Sequence, residues 1–149
     1  MTAALSLPLQ RALFAHLSAD AGLVAALGGP RIYDAPPHAD GPAADPGPYL
    51  LLGDETIAPW FDQSGAGADH ALRFRVISFA AGFAEAKAIA AALSDALDAP
   101  PPALSRGRIV RIQFLGAEAR RGGASGGGAG LVARRIDLRF RVIVEDDAA

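Results

Sequence analysis

Cysteine is absent from this sequence of 149 residues. The absence excludes disulfide bonds, zinc sites built on thiolates and catalysis by a cysteine nucleophile. Aromatic residues make up only 7% of the chain although 51% of its residues are hydrophobic, so we expect a core of Leu, Ile and Val beside alanine-rich helices. No apolar run approaches the roughly 20 residues of a membrane span. No signal-peptide pattern is visible at the start, so one soluble, cytoplasmic domain over residues 1–149 is expected.

Lysine and arginine are missing between Ile32 and Leu72, a stretch that holds seven acidic residues. The stretch from Arg73 to Arg141 has the opposite balance, with twelve basic residues against five acidic ones. This segregation predicts that the two halves of the chain offer complementary surfaces to copies of the same protein. The alternative is an accident of charge balance. The small net charge of −2 argues against general nucleic-acid binding.

Hydrophobic periodicity predicts three helices and four strands in the order α-α-β-β-α-β-β. Ser6, a capping residue type followed by Pro8, marks the start of the first helix. The second helix fits Asp20 to Leu27 and ends at two glycines. The third helix is predicted at residues 83–98, and the strands at residues 49–56, 70–79, 108–119 and 131–144, with a loop over 58–69.

The strands fall in consecutive pairs, and such strands pair antiparallel. We therefore predict an α+β fold with an antiparallel sheet of about four strands, helices packed on one face and a long C-terminal β-hairpin. In this hairpin Val110, Ile112 and Phe114 are expected to point inward. Its tip would be the glycine-rich stretch 122–130, because glycine supplies the positive φ angles of a turn.

No cofactor, metal or catalytic site emerges from the sequence. The stretch GAGLVA, residues 128–133, matches a dinucleotide-binding fingerprint, but that fingerprint opens a helix and a strand follows here. His16, His38 and His70 lack the spacing of metal ligands. No nucleophile stands in a catalytic context, so we expect a protein that is not an enzyme and needs no cofactor.

Arginines alternate with apolar residues along the strands, which predicts an arginine-rich sheet face. Sheets that bind nucleic acid usually interleave stacking aromatics, and this face has almost none. A protein partner with an acidic surface is the favoured interpretation, and a solvated outer face is the alternative. The predicted interface residues are Asp54, Glu55, Asp62, Arg73, Arg75, Arg111, Arg120, Arg121, Arg134, Arg135, Arg139 and Arg141.

The layout resembles the tail terminator, or tail-completion, proteins of long-tailed phages and of phage-derived gene transfer agents. The resemblance rests on LQRALFAHLSADAGLVAALGGPRIYD, on a proline-rich loop into PYLLLGDET, on LRFRVISFAAGFAEAKAIAAALSDAL and on the two alternating strands that follow. It covers nearly the whole chain, and its motifs are structural rather than catalytic.

The resemblance implies a non-enzymatic ring, usually a hexamer, that terminates the tail tube and joins it to the head-side connector or stopper protein. DNA would pass through the lumen without specific binding, and no membrane is involved. The subunit would be cytoplasmic during assembly and then part of a virion or gene transfer agent. The alternative is a small α+β domain that binds a ligand or nucleic acid; a ligand bound to a monomer would favour it.

Overall fold

Three helices and five strands are present in the computed structural model, which describes residues 2–35, 47–63, 65–122 and 133–147. In chain order they are α1 (Ser6–Ser18), α2 (Ala21–Leu27), β1 (Ile32–Tyr33), β2 (Tyr49–Phe61), β3 (Ala66–Ser78), α3 (Ala84–Asp98), β4 (Arg108–Arg121) and β5 (Arg134–Glu145). The predicted α+β class is confirmed.

The strands form one sheet in the order β1-β2-β3-β5-β4. The four long strands pair antiparallel, and β4 and β5 form the predicted C-terminal hairpin. The short β1 adds a fifth strand, which is parallel to β2 through Ile32 and Leu50. Two residues are too few for a periodicity signal, so the sequence did not indicate this strand.

The helices pack on one face of the sheet, which we call the helix face. Leu9 and Leu13 of α1 and Leu93 of α3 are buried against Phe74 of β3 and Phe140 of β5. The rings of Phe74 and Phe140 meet edge to face with their centroids 5.7 Å apart. The opposite side of the sheet, the outer face, carries no helix among the described residues and is therefore the surface on which the charged strand positions lie.

The β2–β3 hairpin is longer than the sequence predicted. Residues 58–69 were expected to be a loop, but β2 continues to Phe61 and β3 begins at Ala66. Asp62 closes the turn, because its Oδ1 accepts a hydrogen bond from the Gly65 amide at 2.8 Å. The alanines and glycines at the start of β3 gave no contrast between the two faces, which is why the alternation was not visible.

The two N-terminal helices begin by different means. The N-cap of α1 is Leu5, which makes no capping hydrogen bond, so the prediction of a Ser6 cap is wrong. The Ser6 hydroxyl instead donates to Glu55 of β2. Asp20 does cap α2, since its Oδ1 accepts from the Leu23 amide at 2.9 Å. That helix ends at Gly28 with a φ of 77°.

Two bulges interrupt the pairing of β4 with β5, one between Ile109 and Arg111 and one between Phe114 and Gly116. The first bulge buries Ile109 and leaves Val110 42% exposed, so the prediction that Val110 points inward is wrong. The pairing extends as far as Arg121 opposite Arg134. Of the predicted hairpin tip, residues 122–130, only Gly122 is among the described residues; it has a φ of 81°.

Candidate assembly surface

Eight arginines of the three antiparallel strands β3, β5 and β4 lie on the outer face. Their positions follow from the register, in which Arg73 is opposite Arg139 and Arg120 is opposite Arg135. The helix-face positions of the same strands alternate with them, as Phe74 and Phe140 show. The eight are Arg73, Arg75, Arg108, Arg111, Arg120, Arg135, Arg139 and Arg141.

Acidic residues of the same face bind several of these arginines. Asp137 lies between two of them: its Oδ1 accepts from Arg75 Nε at 2.9 Å, and its Oδ2 is 3.3 Å from Arg135 Nε. Asp69 binds Arg141 at 2.7 Å, and this hydrogen bond raises the pKa of the Arg141 guanidinium. Much of the face is therefore neutralised within the subunit.

Arg73 and Arg139 remain without an ion pair among the described residues, although they are directly opposite each other on β3 and β5. The guanidinium of Arg139 extends across β4 over Gly116, where a Cβ atom would be 2.8 Å from its Nη2. Asp54, at the bulge of β2, lines the same trough of the outer face as these two arginines and has no ion pair in the described part of the chain. These three residues form an uncompensated trough; Arg111 also lacks an ion pair among the described residues and bonds to the neutral Gln113 at 3.0 Å.

Glu55 lies on the opposite side of the sheet from Asp54. Its register partner is Leu72, a helix-face residue. The Glu55 Oε2 atom is 2.8 Å from Nδ1 of the fully buried His70. Glu55 therefore holds α1 and the β2–β3 hairpin together inside the subunit and is separate from the outer-face arginines.

The other predicted interface residues are also dispersed. Asp62 lies in the turn between β2 and β3. Arg121 and Arg134 are opposite each other at the far end of the β4–β5 hairpin, on the helix face. The guanidinium carbon of Arg134 is 5.9 Å from the centre of the Phe83 ring, a cation–π contact at the start of α3. The twelve predicted residues therefore do not form one continuous surface.

Both edges of the sheet are open among the described residues, a feature that the sequence reasoning missed. The strand β1 covers only Leu50 and Leu51 of β2, so the part from Leu52 to Phe61 has a free edge. The strand β4 is the other edge. The acidic and basic stretches of the sequence contain these two strands, but their position at opposite edges depends on the strand order.

Charge distinguishes the two edges, and both carry exposed apolar side chains, since Phe61 of β2 is 64% exposed. The open part of β2 carries Asp54 and Glu55 and no basic residue. The β4 edge carries four arginines and one glutamate, together with three exposed apolar residues. The arginines are Arg108, Arg111, Arg120 and Arg121, and the apolar residues are Val110, Phe114 and Leu115, which are 42%, 54% and 46% exposed.

Residues 2–35, 47–63, 65–122 and 133–147 contain no group of three or more His, Cys, Asp or Glu side chains that could hold a metal ion. Within the same ranges, none of the helices has both the length and the apolar character needed to cross a membrane. The uncompensated outer-face residues and the two open edges are the candidate functional surfaces.

The chain is similar to known proteins over most of its length. The family model described as tail completion protein gp17 matches residues 11–145. A chain in a solved structure titled "Virion of native gene transfer agent (GTA) particle" is 48% identical and superposes with a TM-score of 0.79, over 97% of this chain and 99% of that one. None of the curated protein sequences matches the chain.

Proposed function

The chain belongs to the tail completion protein gp17 family, and from that premise we propose that it is a structural ring protein of a phage-like particle. The ring, a hexamer, terminates the tail tube and joins it to the head-side connector or stopper protein. The role involves no catalytic step and no cofactor. The similarity to a chain of a gene transfer agent virion over almost its full length supports a place in such a particle.

The observation that carries the proposal is the pair of open, oppositely charged sheet edges. A closed ring needs two different surfaces on each subunit that fit one another. The acidic edge of β2 and the arginine-rich edge of β4 meet this requirement, because they lie at opposite ends of the sheet. Open edges also offer unpaired backbone N–H and C=O groups for strand pairing.

Strand direction is consistent with this contact. Three antiparallel pairings separate β2 from β4, so these two strands run in opposite directions within one subunit. Rotation about a ring axis parallel to the strands preserves their directions. The β4 edge of one copy therefore meets the β2 edge of the next copy antiparallel, and the sheet continues around the ring.

The charged contact in this ring joins Asp54 of one copy to Arg139 of its neighbour. Asp54 follows Leu52 and Gly53 on β2, and Arg73, the residue beside this bulge, is opposite Arg139. Asp54 and Arg139 therefore lie at the same level of the sheet. Arg139 already reaches over Gly116 toward the β4 edge. An ion pair across the edge would compensate two charges that have no ionic partner in the described part of the subunit.

Charge reversal tests this contact. We expect Asp54→Arg and Arg139→Asp each to weaken ring formation, and the double variant to restore it, because only the double variant recreates a pair of opposite charges. Asp95→Arg, on an exposed position of α3, is the matched control. Light scattering and negative-stain images at low and high salt would report assembly, which high salt should weaken.

Two outcomes would contradict different parts of the proposal. A protein that remains strictly monomeric at low salt and high concentration would contradict self-assembly into a ring. Rings that tolerate both single reversals would remove Asp54 and Arg139 from the contact and leave the ring itself standing.

The ends of such a ring are its surfaces for other particle proteins. With the strands along the ring axis, the far end of the β4–β5 hairpin, where Arg120, Arg121 and Arg134 lie, points along the axis. We assign this end to an axial partner, the tail tube or the head-side connector, and DNA passes through the lumen without specific binding. Purified rings mixed with tail tubes should bind at a tube end, and binding along the tube wall would contradict this assignment.

A further inference from the structure

Phe114 is a large aromatic residue exposed on the β4 edge. Its side chain is 54% exposed although it lies on the helix face, where its ring meets that of Phe140 with centroids 5.4 Å apart. Within the subunit only one side of the ring is therefore covered by the core. An aromatic side chain in such a position on an open strand is typical of a contact residue.

At the same level of the sheet, the opposite edge has an apolar pocket. The register joins Glu55, Leu72, Phe140 and Phe114 into one row across the four long strands. At the Glu55 end of this row, a pocket opens on the helix face between α1 and the bulge of β2. Leu9, Leu13 and Leu52 line it, and Gln10, Asp34 and Glu55 supply its polar groups.

We propose that the Phe114 side chain of each copy seats in this pocket of the next copy. The inference rests on the proposed ring and names the apolar part of its subunit contact. In a ring whose strands run along the axis, rotation keeps each row at its own level. Phe114 of one copy then arrives at the Glu55 end of the same row in its neighbour, and on the same face.

The pocket is suited to this occupant by shape and by chemistry. The partly exposed Leu52 of β2 offers apolar surface to an aromatic ring, and the buried Leu9 and Leu13 of α1 lie behind it. Gln10 and Asp34 are bonded to each other at the pocket, with the Gln10 amide donating to Asp34 Oδ2 at 3.4 Å. On the outer face of the sheet, Asp54 and Arg139 form the charged contact. The edge strands of two neighbouring copies would therefore be joined by an apolar contact on the helix face and an ion pair on the outer face.

Truncation of Phe114 tests the inference. We expect Phe114→Ala to raise the protein concentration needed for ring formation about tenfold or more, while circular dichroism and urea unfolding show a folded subunit. The matched control is Phe14→Ala, since Phe14 is 41% exposed on α1 and does not line the pocket. This control should assemble like the original protein.

A second variant leaves Phe114 and the core in place. Gln10 is exposed at the pocket, and Gln10→Trp should fill the pocket and weaken assembly to a similar extent. The absence of cysteine allows a direct measurement as well. Phe114→Cys combined with Gln10→Cys should give a ladder of cross-linked oligomers under oxidation, whereas Phe114→Cys combined with Lys87→Cys on α3 should not.

The Phe114 contact and the ring itself can be tested separately. Rings that form normally with both Phe114→Ala and Gln10→Trp, and that give no ladder with the first cysteine pair, would overturn the seating of Phe114 and leave the ring intact. An original protein that never forms rings would overturn the proposed function itself, and the Phe114 contact with it.

Discussion

The Glu55 carboxylate lies 2.8 Å from the imidazole of His70, whose side chain is fully buried. Because a carboxylate accepts hydrogen bonds, Nδ1 of His70 carries the proton in this contact. The Nε2 atom is also buried and has no partner among the described residues. Glu55 is thus the polar anchor of His70, and its bond with Ser6 connects this anchor to the first turn of α1.

Removal of this anchor should destabilise the subunit. Glu55→Ala leaves the Nδ1 proton of His70 buried without an acceptor, which costs about 1–3 kcal/mol. The measurement is the free energy of unfolding from urea titration. Asp54→Ala is the matched control, since the neighbouring carboxylate has no bond within the described part of the subunit, and it should leave stability almost unchanged. Equal losses for the two variants would show that the Glu55–His70 contact does not carry this stability.

Adjacent residues such as Asp54 and Glu55 show where sequence reasoning reached its limit. Both were predicted as acidic interface residues, but a bulge between Leu52 and Glu55 shifts the register of β2. The bulge directs Glu55 to the helix face and leaves Asp54 at the outer face. A period of two residues cannot reveal such a shift, because one extra residue exchanges the faces of everything that follows it.

The predicted helices and the outer-face arginines depend on strong local patterns, and these are the parts that sequence alone could supply. Ion pairs such as Arg75 with Asp137 depend on which strands are neighbours, so no local pattern contains them. The same holds for the open β4 edge, since the last strand β5 lies between β3 and β4. These pairings between strands distant in sequence are visible only in the three-dimensional structure.

Gly67 should be the most sensitive glycine of the β2–β3 hairpin. A Cβ atom at this position would be 1.8 Å from the Val144 carbonyl oxygen, a backbone atom of the neighbouring strand. Gly67→Ala must therefore separate β3 from β5 locally, and overpacking of this kind costs about 1–3 kcal/mol or more. The thermal midpoint of unfolding should fall accordingly.

Gly82 provides the control for that substitution. A Cβ atom there would have no heavy atom within 4 Å, and its φ is not in the positive range. Gly82→Ala should leave stability unchanged or raise it by about 0.4–1 kcal/mol, because alanine restricts the unfolded chain. Tolerance of alanine at both glycines would contradict the close approach of β3 and β5 at Gly67.

Stability should decline in alkaline solution through Tyr49. Burial raises the pKa of this phenol above its usual 10.0, and the positive charge of Arg75 lowers it in part. Below pH 10 the phenol is neutral in both the folded and the unfolded chain, and the full contribution of Tyr49 to stability is present. As the pH rises further, the phenol of Tyr49 ionises first in the unfolded chain. The free energy of unfolding therefore falls until the pH passes the pKa of Tyr49 in the folded protein.

The Tyr49→Phe variant tests this pH dependence. Its free energy of unfolding, measured by chemical denaturation, should depend less on pH above pH 10. An unchanged dependence would mean that Tyr49 does not cause it.

Charge reversal at two neighbouring outer-face arginines should have opposite effects on the subunit. Arg141 is bound to Asp69 at 2.7 Å, so Arg141→Glu would place two carboxylates together and lower the free energy of unfolding. Arg139 is directly opposite Arg73, and like charges in this position are unfavourable. Arg139→Glu should replace that repulsion by an attraction and stabilise the subunit by about 0.2–1 kcal/mol.

A measurement of ring formation distinguishes the role of Arg139 in the subunit contact from its effect on the stability of the subunit. If Arg139 is retained for its contact with Asp54 of the next copy, Arg139→Glu should give a more stable monomer that forms rings poorly. Surface residues that oppose folding in this way are typical of sites kept for function. Urea unfolding at a concentration below assembly and light scattering above it measure the two effects separately. A variant that is both more stable and fully competent in ring formation would show that the Arg73–Arg139 repulsion serves no subunit contact.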